Sequence, residues 1–71
     1  MTDTTYKLTT LVGESTDGIE SAVTTALGTS TGKVHGQQWI QVKDIRASVG
    51  DDGTVDRWQV EVEVAFEVDP A

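Results

Sequence analysis

The chain has 71 residues, contains no cysteine and carries a formal net charge of −7 at pH 7. This length predicts one domain over residues 1–71, whose small core needs added support. The lack of cysteine excludes disulfides and thiolate metal sites, and His35 alone cannot form an ordinary zinc site, so oligomerisation is the expected support. The acidic balance argues against nucleic acid and anionic membranes as partners, because both require a basic surface.

The first residues, MTDTTYKLTTLVG, do not resemble an export signal. They lack the basic region and the continuous apolar stretch of a signal peptide, and no later run approaches the ~20 apolar residues of a membrane span. The cytoplasm is therefore the expected location.

A first strand is predicted over residues 5–12, which are rich in β-branched and apolar side chains, and Gly13 is expected to end it. In the segment that follows, Ser15, Thr16 or Asp17 can cap a helix by accepting hydrogen bonds from its free amides. The strand is therefore expected to lead directly into a helix.

An apolar stripe at helical spacing predicts this helix, which is expected to end near Gly32 and Lys33. The stripe consists of Ile19, Ala22, Val23, Ala26 and Leu27. Glycine and several Thr and Ser residues weaken the second half of the helix, so it requires a sheet to pack against.

A long hairpin is predicted to complete the chain. Its first strand covers residues 39–49, where the apolar positions change parity near Lys43 and Asp44, as a β-bulge would produce. The GDDG segment at 50–53 is suited to the turn. In the last strand one set of alternating side chains is apolar, namely Trp58, Val60, Val62, Val64, Phe66 and Val68. The intervening set is polar, namely Arg57, Gln59, Glu61, Glu63 and Glu67, with Ala65 as its one small member.

The resulting order is β-α-β-β, an α+β fold with one helix and three strands. A single helix cannot cover a sheet of this size, so the sheet is expected to curl around the helix and other subunits to cover the remainder.

No catalytic set is predicted, and the chain is not expected to be an enzyme. Glu61 and Glu63 can be read as paired carboxylates for acid–base chemistry or metal binding, but neighbours on an exposed strand face are usually solvated. His35 matches no nucleophile motif, and no glycine-rich phosphate loop joins a strand to a helix.

Trp39 lies among polar residues in the segment GQQWIQVKDIR, which is unusual for a large ring on a half-buried strand. Composition alone favours packing between chains, where tryptophan is common. The alternative is a platform on which a planar heterocycle stacks. Trp58, in phase with the valines, is expected in the core or at a subunit interface.

The segments LVGESTDGIESAV, WIQVKDIR and RWQVEVEVAFEV resemble the dodecins, a family of small flavin-binding proteins, over nearly the whole chain. The most distinctive parts are W-x-x-V-x-x-I-R, from Trp39 to Arg46, and Q-x-x-x-x-V-x-F, from Gln59 to Phe66. The resemblance implies a β-α-β-β fold whose antiparallel sheet wraps around the helix, assembled as a hollow homododecamer.

The resemblance also implies a site in which paired flavins bind at two-fold subunit interfaces, each ring lying between its twin and a tryptophan. Trp39 matches that tryptophan, and Gln59 matches a glutamine that bonds the polar edge of the isoalloxazine. Asp44 matches an acidic position near the ribityl chain. Arg46 matches an arginine of members that bind FMN, which favours FMN over riboflavin because an arginine fork suits a phosphate. Glu67 replaces an arginine that some members use for coenzyme A, which argues against that ligand.

Strand geometry gives a check on this site. If the hairpin folds about residues 51 and 52, Trp39 faces residue 64 and lies ~15 Å from Gln59, so a shared ligand needs a second subunit. The resemblance to dodecins, together with this geometry, implies a homododecamer that stores FMN, buffers free flavin and quenches its photochemistry. The alternative is a cofactor-free oligomeric protein in which Trp39 is only an interface residue.

Overall fold

The computed structural model describes residues 3–31 and 36–68, so Gly32, Lys33 and His35 lie outside the described residues. The described residues form β1 (Thr5–Ser15), α1 (Ile19–Thr31), β2 (Gln37–Val49) and β3 (Val55–Val68). The strands make one antiparallel sheet in the order β1–β3–β2, with β3 in the centre. The predicted β-α-β-β order is confirmed.

The core lies between α1 and the central strand β3. One set of alternating β3 side chains faces the helix, and its three central valines are fully buried. Each such valine contributes about 1.5–3 kcal/mol to folding. The core consists of Ala22, Ala26, Val60, Val62, Val64 and Phe66. The predicted periodicities are therefore confirmed, although Ile19 and Val68 at the ends of their rows are exposed and Trp58 is only half-buried.

Gly13 does not end β1, contrary to the prediction, because the strand continues to Ser15. Gly13 is buried where α1 crosses the strand. A Cβ at this position would collide with the carbonyl oxygen of Ala22 and would lie 3.0 Å from the Cβ of Ala26. The glycine therefore allows close approach of helix and strand.

The helix start also differs from the prediction. The carbonyl of Gly18 accepts the first helical bond, from the amide of Ala22 at 3.0 Å, so Gly18 occupies the N-cap position. The Ser15 hydroxyl accepts a bond from the Asp17 amide at 3.0 Å and donates to the Ser21 hydroxyl at 2.9 Å. Ser15 thus stabilises the turn before the helix.

No helix in the described part of the chain is long and apolar enough to cross a bilayer.

The hairpin of β2 and β3 contains the predicted turn and the predicted bulge. The Gly53 amide donates to the carbonyl of Gly50 at 3.0 Å, and the Gly50 amide donates to the carbonyl of Thr54 at 2.8 Å. The pairing register shifts between Val42 and Asp44, as expected. Because one residue is added there, the polar positions of β2 change from odd to even numbers and stay on one face of the sheet.

The helix covers only part of the sheet, because α1 packs against β1 and β3. Apolar side chains on the helix-facing side of β2 are left open, with Val42 exposed to 44% and Ile45 to 46%. The prediction that one helix cannot cover the sheet is confirmed.

Candidate functional site

All four predicted site residues lie on the face of the sheet opposite α1, which we call the open face. Trp39, Asp44 and Arg46 reach it from β2, and Gln59 reaches it from β3. The bulge after Val42 makes this possible, since Trp39 has odd parity whereas Asp44 and Arg46 have even parity. Without the added residue, the indole would lie on the opposite face from the two charged side chains.

Trp39 is not part of the core, because the residue is 48% exposed and lies on the open face. Its indole contacts the ring of Tyr6 on β1, with ring centroids 4.7 Å apart and ring planes at 61°. Ala65 of the central strand is the pairing partner of Trp39 and is completely buried. Tyr6 therefore supports the indole from one direction while much of the ring stays accessible.

Arg46, Asp44 and Gln59 form a hydrogen-bonded group toward the turn end of the open face. Nε of Arg46 donates to Oε1 of Gln59 at 2.9 Å, and Nη1 donates to Oδ2 of Asp44 at 3.1 Å. Oε1 of Glu61 lies 3.9 Å from the same Nη1. The structure thus brings together three of the four predicted residues, and Arg46 is already paired with two carboxylates.

Glu14 and Arg57 extend this group across the sheet to β1. Nε2 of Gln59 donates to Oε1 of Glu14 at 3.0 Å, and Nη1 of Arg57 donates to Oε2 of Glu14 at 3.3 Å. The hydrogen bond from Gln59 is the main cause that lowers the pKa of Glu14 below its ordinary value, with a further contribution from Arg57. Glu14 is accordingly a charged acceptor at neutral pH.

Trp39 stands apart from this group. Gln59 pairs with Arg46 and Trp39 pairs with Ala65, so the two site residues are six positions apart along β3. At the usual rise of a strand this is about 20 Å, which exceeds the length of a three-ring heterocycle. The partner of Trp39 is Ala65 and not residue 64, because the turn is centred half a residue later than predicted. The two bulges between the turn and Trp39 do not change this register, since one adds a residue to β2 and the other adds a residue to β3.

Three further residues at the site, Tyr6, Glu14 and Arg57, are not predicted from the sequence. Tyr6 falls within the predicted first strand, and Glu14 falls between that strand and the predicted helix. The signal that could have found them is parity, since Tyr6 and Glu14 are an even number of residues apart and share a face if β1 continues through Gly13.

Glu61 and Glu63 are both half-buried on the open face. Within residues 3–31 and 36–68, no three His, Cys, Asp or Glu side chains are grouped in a way that could hold a metal ion. Glu61 instead lies beside the guanidinium of Arg46.

Comparison with known proteins gives consistent results. The family model described as Dodecin matches residues 5–69. A dodecin of Thermus thermophilus is 38% identical over 64 residues, which cover 90% of this chain and 91% of that protein. A crystal structure of a Thermus thermophilus protein has a TM-score of 0.91 at 35% identity and covers 97% of this chain and 100% of its own. The structure of dodecin from Streptomyces coelicolor has a TM-score of 0.91 at 31% identity, with both chains fully covered.

Proposed function

The chain belongs to the dodecin family, and we propose that it is a homododecameric flavin-binding protein that stores FMN and has no catalytic turnover. The observation that carries this proposal is the position of Trp39. A tryptophan in the core would have its ring buried, whereas this indole is half exposed on the open face and is supported by Tyr6. Such a ring offers a flat, electron-rich surface to a planar ligand.

Gln59 supplies the polar contact in this proposal. A side-chain amide has two N–H donors and an oxygen with two lone pairs. One N–H is bound to Glu14 and one lone pair to Arg46, which leaves one donor and one acceptor. The polar edge of an isoalloxazine carries an N–H between two carbonyl groups, so the remaining pair on Gln59 complements it.

Arg46 is the residue proposed to favour FMN over riboflavin. Its Nε and Nη1 atoms are bound to Gln59 and Asp44, so the two contacts fix the plane of the guanidinium. Nη2 takes part in neither contact and is suited to a phosphate oxygen. Asp44 is proposed to lie near the ribityl chain. Coenzyme A is not proposed, because the exposed carboxylate of Glu67 would repel a ligand rich in phosphate.

Assembly is part of the proposal for two reasons. The separation of about 20 Å between Trp39 and Gln59 prevents one subunit from placing both on one ring, whereas a two-fold interface supplies each residue from a different chain. The exposed apolar row on β2, which includes Val42 and Ile45, is also expected to be buried by another subunit. The homododecamer is the assembly that the family implies. The cytoplasmic location stays a prediction.

Storage follows from the stacked arrangement. A flavin placed between Trp39 and a second flavin has little open face for a substrate, so its free concentration is buffered and side reactions are limited. In contact with a photoexcited flavin, the electron-rich indole of Trp39 would quench the excitation by reversible electron transfer, which leaves no net chemistry.

The test is a titration of the protein with FMN, followed by flavin fluorescence. We expect strong quenching by the unaltered protein and its loss in Trp39→Ala at unchanged assembly size. Trp58→Phe is the matched control, since it removes an indole from the opposite face of the sheet. Undiminished emission, or equal quenching by Trp39→Ala, would contradict the proposal. A dodecamer that does not bind flavin would instead support the structural alternative, in which Trp39 only packs between subunits.

A further inference from the structure

We propose that Glu14 is a positioning residue, which fixes the orientation of the Gln59 amide and thereby decides which hydrogen bonds this amide offers to a flavin. The inference rests on the proposed function and extends it to a residue on another strand. Gln59 lies on the central strand, with Arg46 on one neighbouring strand and Glu14 on the other. The amide therefore bridges the whole width of the sheet.

The two partners of Gln59 have opposite hydrogen-bonding character. Arg46 is a donor only, and its Nε lies 2.9 Å from Oε1 of Gln59. An ionised Glu14 is an acceptor only, and its Oε1 lies 3.0 Å from Nε2 of Gln59. A rotation of the amide by half a turn would place two donors against each other on one side and two acceptors on the other. Both partners therefore select the same orientation.

Arg57 keeps Glu14 in this role. Its Nη1 donates to Oε2 of Glu14 at 3.3 Å, while Oε1 of Glu14 remains for Gln59. The carboxylate is thus held by one residue of β3 and acts on another residue of the same strand. Its lowered pKa is consistent with this role, since only the ionised form lacks a donor.

Removal of Glu14 leaves Gln59 with one anchor in place of two. The amide can then rotate away from the orientation that presents a donor and an acceptor to the ligand, and binding must restore that order. The loss corresponds to about one ordinary hydrogen bond, so we expect flavin affinity to fall about three- to tenfold. The stack on Trp39 lies about 20 Å away along the strand and should be unaffected within the same subunit.

The experiment measures the Kd of riboflavin at pH 7 by fluorescence titration. Riboflavin is the probe because it has no phosphate, so changes in net charge act on it only weakly. Four proteins form a double-mutant cycle: the unaltered chain, Glu14→Ala, Gln59→Ala and the double variant. We expect Glu14→Ala to weaken binding about three- to tenfold with full quenching at saturation, and to have no effect when Gln59 is already alanine.

Two further variants serve as a control and a second test. Asp56→Ala removes one negative charge from an exposed position of β3 and should leave the Kd unchanged. Glu14→Gln keeps the length of the side chain but can offer either amide end, so it should weaken binding in the same direction as Glu14→Ala.

The outcomes separate the two proposals. If riboflavin is bound and quenched but Glu14→Ala and Glu14→Gln bind it equally well, the role of Glu14 is wrong and the proposed function stands. An equal loss with and without Gln59 also overturns the inference, because a general structural role would act in both backgrounds. If the unaltered protein does not bind riboflavin or FMN, both proposals fail.

Discussion

The rings of Tyr6 and Trp39 meet across the central strand, with centroids 4.7 Å apart and planes at 61°. They belong to β1 and β2, the two edge strands, and Ala65 of β3 is the pairing partner of Trp39. Ala65 is the one small residue in the otherwise polar set of β3, and it is completely buried. Edge-to-face pairs of this kind contribute about 0.5–1.5 kcal/mol.

Tyr6→Leu is expected to weaken FMN binding, because the indole of Trp39 loses the ring that holds its orientation. The Kd of FMN should rise about two- to tenfold, which corresponds to the energy of one aromatic pair. Tyr6→Phe keeps the ring and should retain affinity. Fluorescence titration measures both, and an unchanged Kd for Tyr6→Leu would show that Tyr6 does not orient the indole.

Arg46→Gln is expected to reduce the preference for FMN over riboflavin. A hydrogen bond to a charged group contributes about 1.5–3 kcal/mol, so the Kd of riboflavin divided by the Kd of FMN should fall at least about tenfold. The ratio is the informative quantity, because Arg46 also bonds Gln59 and its loss can weaken both ligands. Arg46→Lys keeps the charge and should retain part of the preference. If the ratio stays constant in Arg46→Gln, the phosphate contact is wrong.

Gly13→Ala is expected to destabilise the fold, because its Cβ would collide with the backbone carbonyl of Ala22. The loss should be about 2–3 kcal/mol, as for overpacking of a tight interior. Gly28→Ala is the matched control, since it lies in α1 with open space around its Cβ and should stabilise the helix by about 1 kcal/mol. Thermal unfolding at one fixed protein concentration measures both. If Gly13→Ala and the unaltered protein had equal unfolding midpoints, the close packing of α1 on Gly13 would be wrong.

Asp52→Ala is expected to destabilise the hairpin at pH 7. The hydroxyl of Thr54 donates to Oδ1 of Asp52 at 2.7 Å and its amide donates at 3.1 Å, and these bonds lower the pKa of Asp52 below its ordinary 3.8. Because the folded state has the lower pKa, the stabilisation is present above pH 3.8 and is lost as the pH falls through the lowered value.

The measurement for Asp52 is the unfolding midpoint of the variant and the unaltered protein as a function of pH. Their difference should be greatest at neutral pH and should shrink below pH 3.8. Asp51→Ala removes the neighbouring carboxylate of the turn, which makes neither bond to Thr54, and should have a smaller effect. A difference that does not vary with pH would rule out the ionised carboxylate as its cause.

Ile45→Lys is expected to dissociate the assembly while leaving the subunit fold intact. Its side chain is 46% exposed in the single chain, so the charge costs little there, but burial of an unpaired lysine between subunits is costly. Thr24→Lys adds the same charge at an exposed position of α1 and should leave the particle size unchanged. Analytical ultracentrifugation gives the size. A dodecamer of Ile45→Lys would show that the apolar row of β2 is not an interface.

The features that depend on neighbouring residues were predictable from the amino-acid sequence. The alternation of β3, the apolar stripe of α1, the turn at 50–53 and the bulge before Asp44 are all local patterns, and each is present in the fold. The resemblance to dodecins, now shown as family membership, named Trp39, Asp44, Arg46 and Gln59. The assignment of these residues to a flavin stays a prediction.

Which residues of β1 face the site became clear from the three-dimensional packing alone. The partners Glu14 and Gln59 are 45 residues apart, and no local pattern states the register in which β1 pairs with β3. From the sequence, Gly13 predicts the end of a strand. The packing of α1 across β1 shows that the glycine is instead needed for close approach of the helix. Local periodicity assigns each side chain to a face, whereas the contacts between distant strands depend on how helix and sheet pack, and that packing is a property of the whole chain.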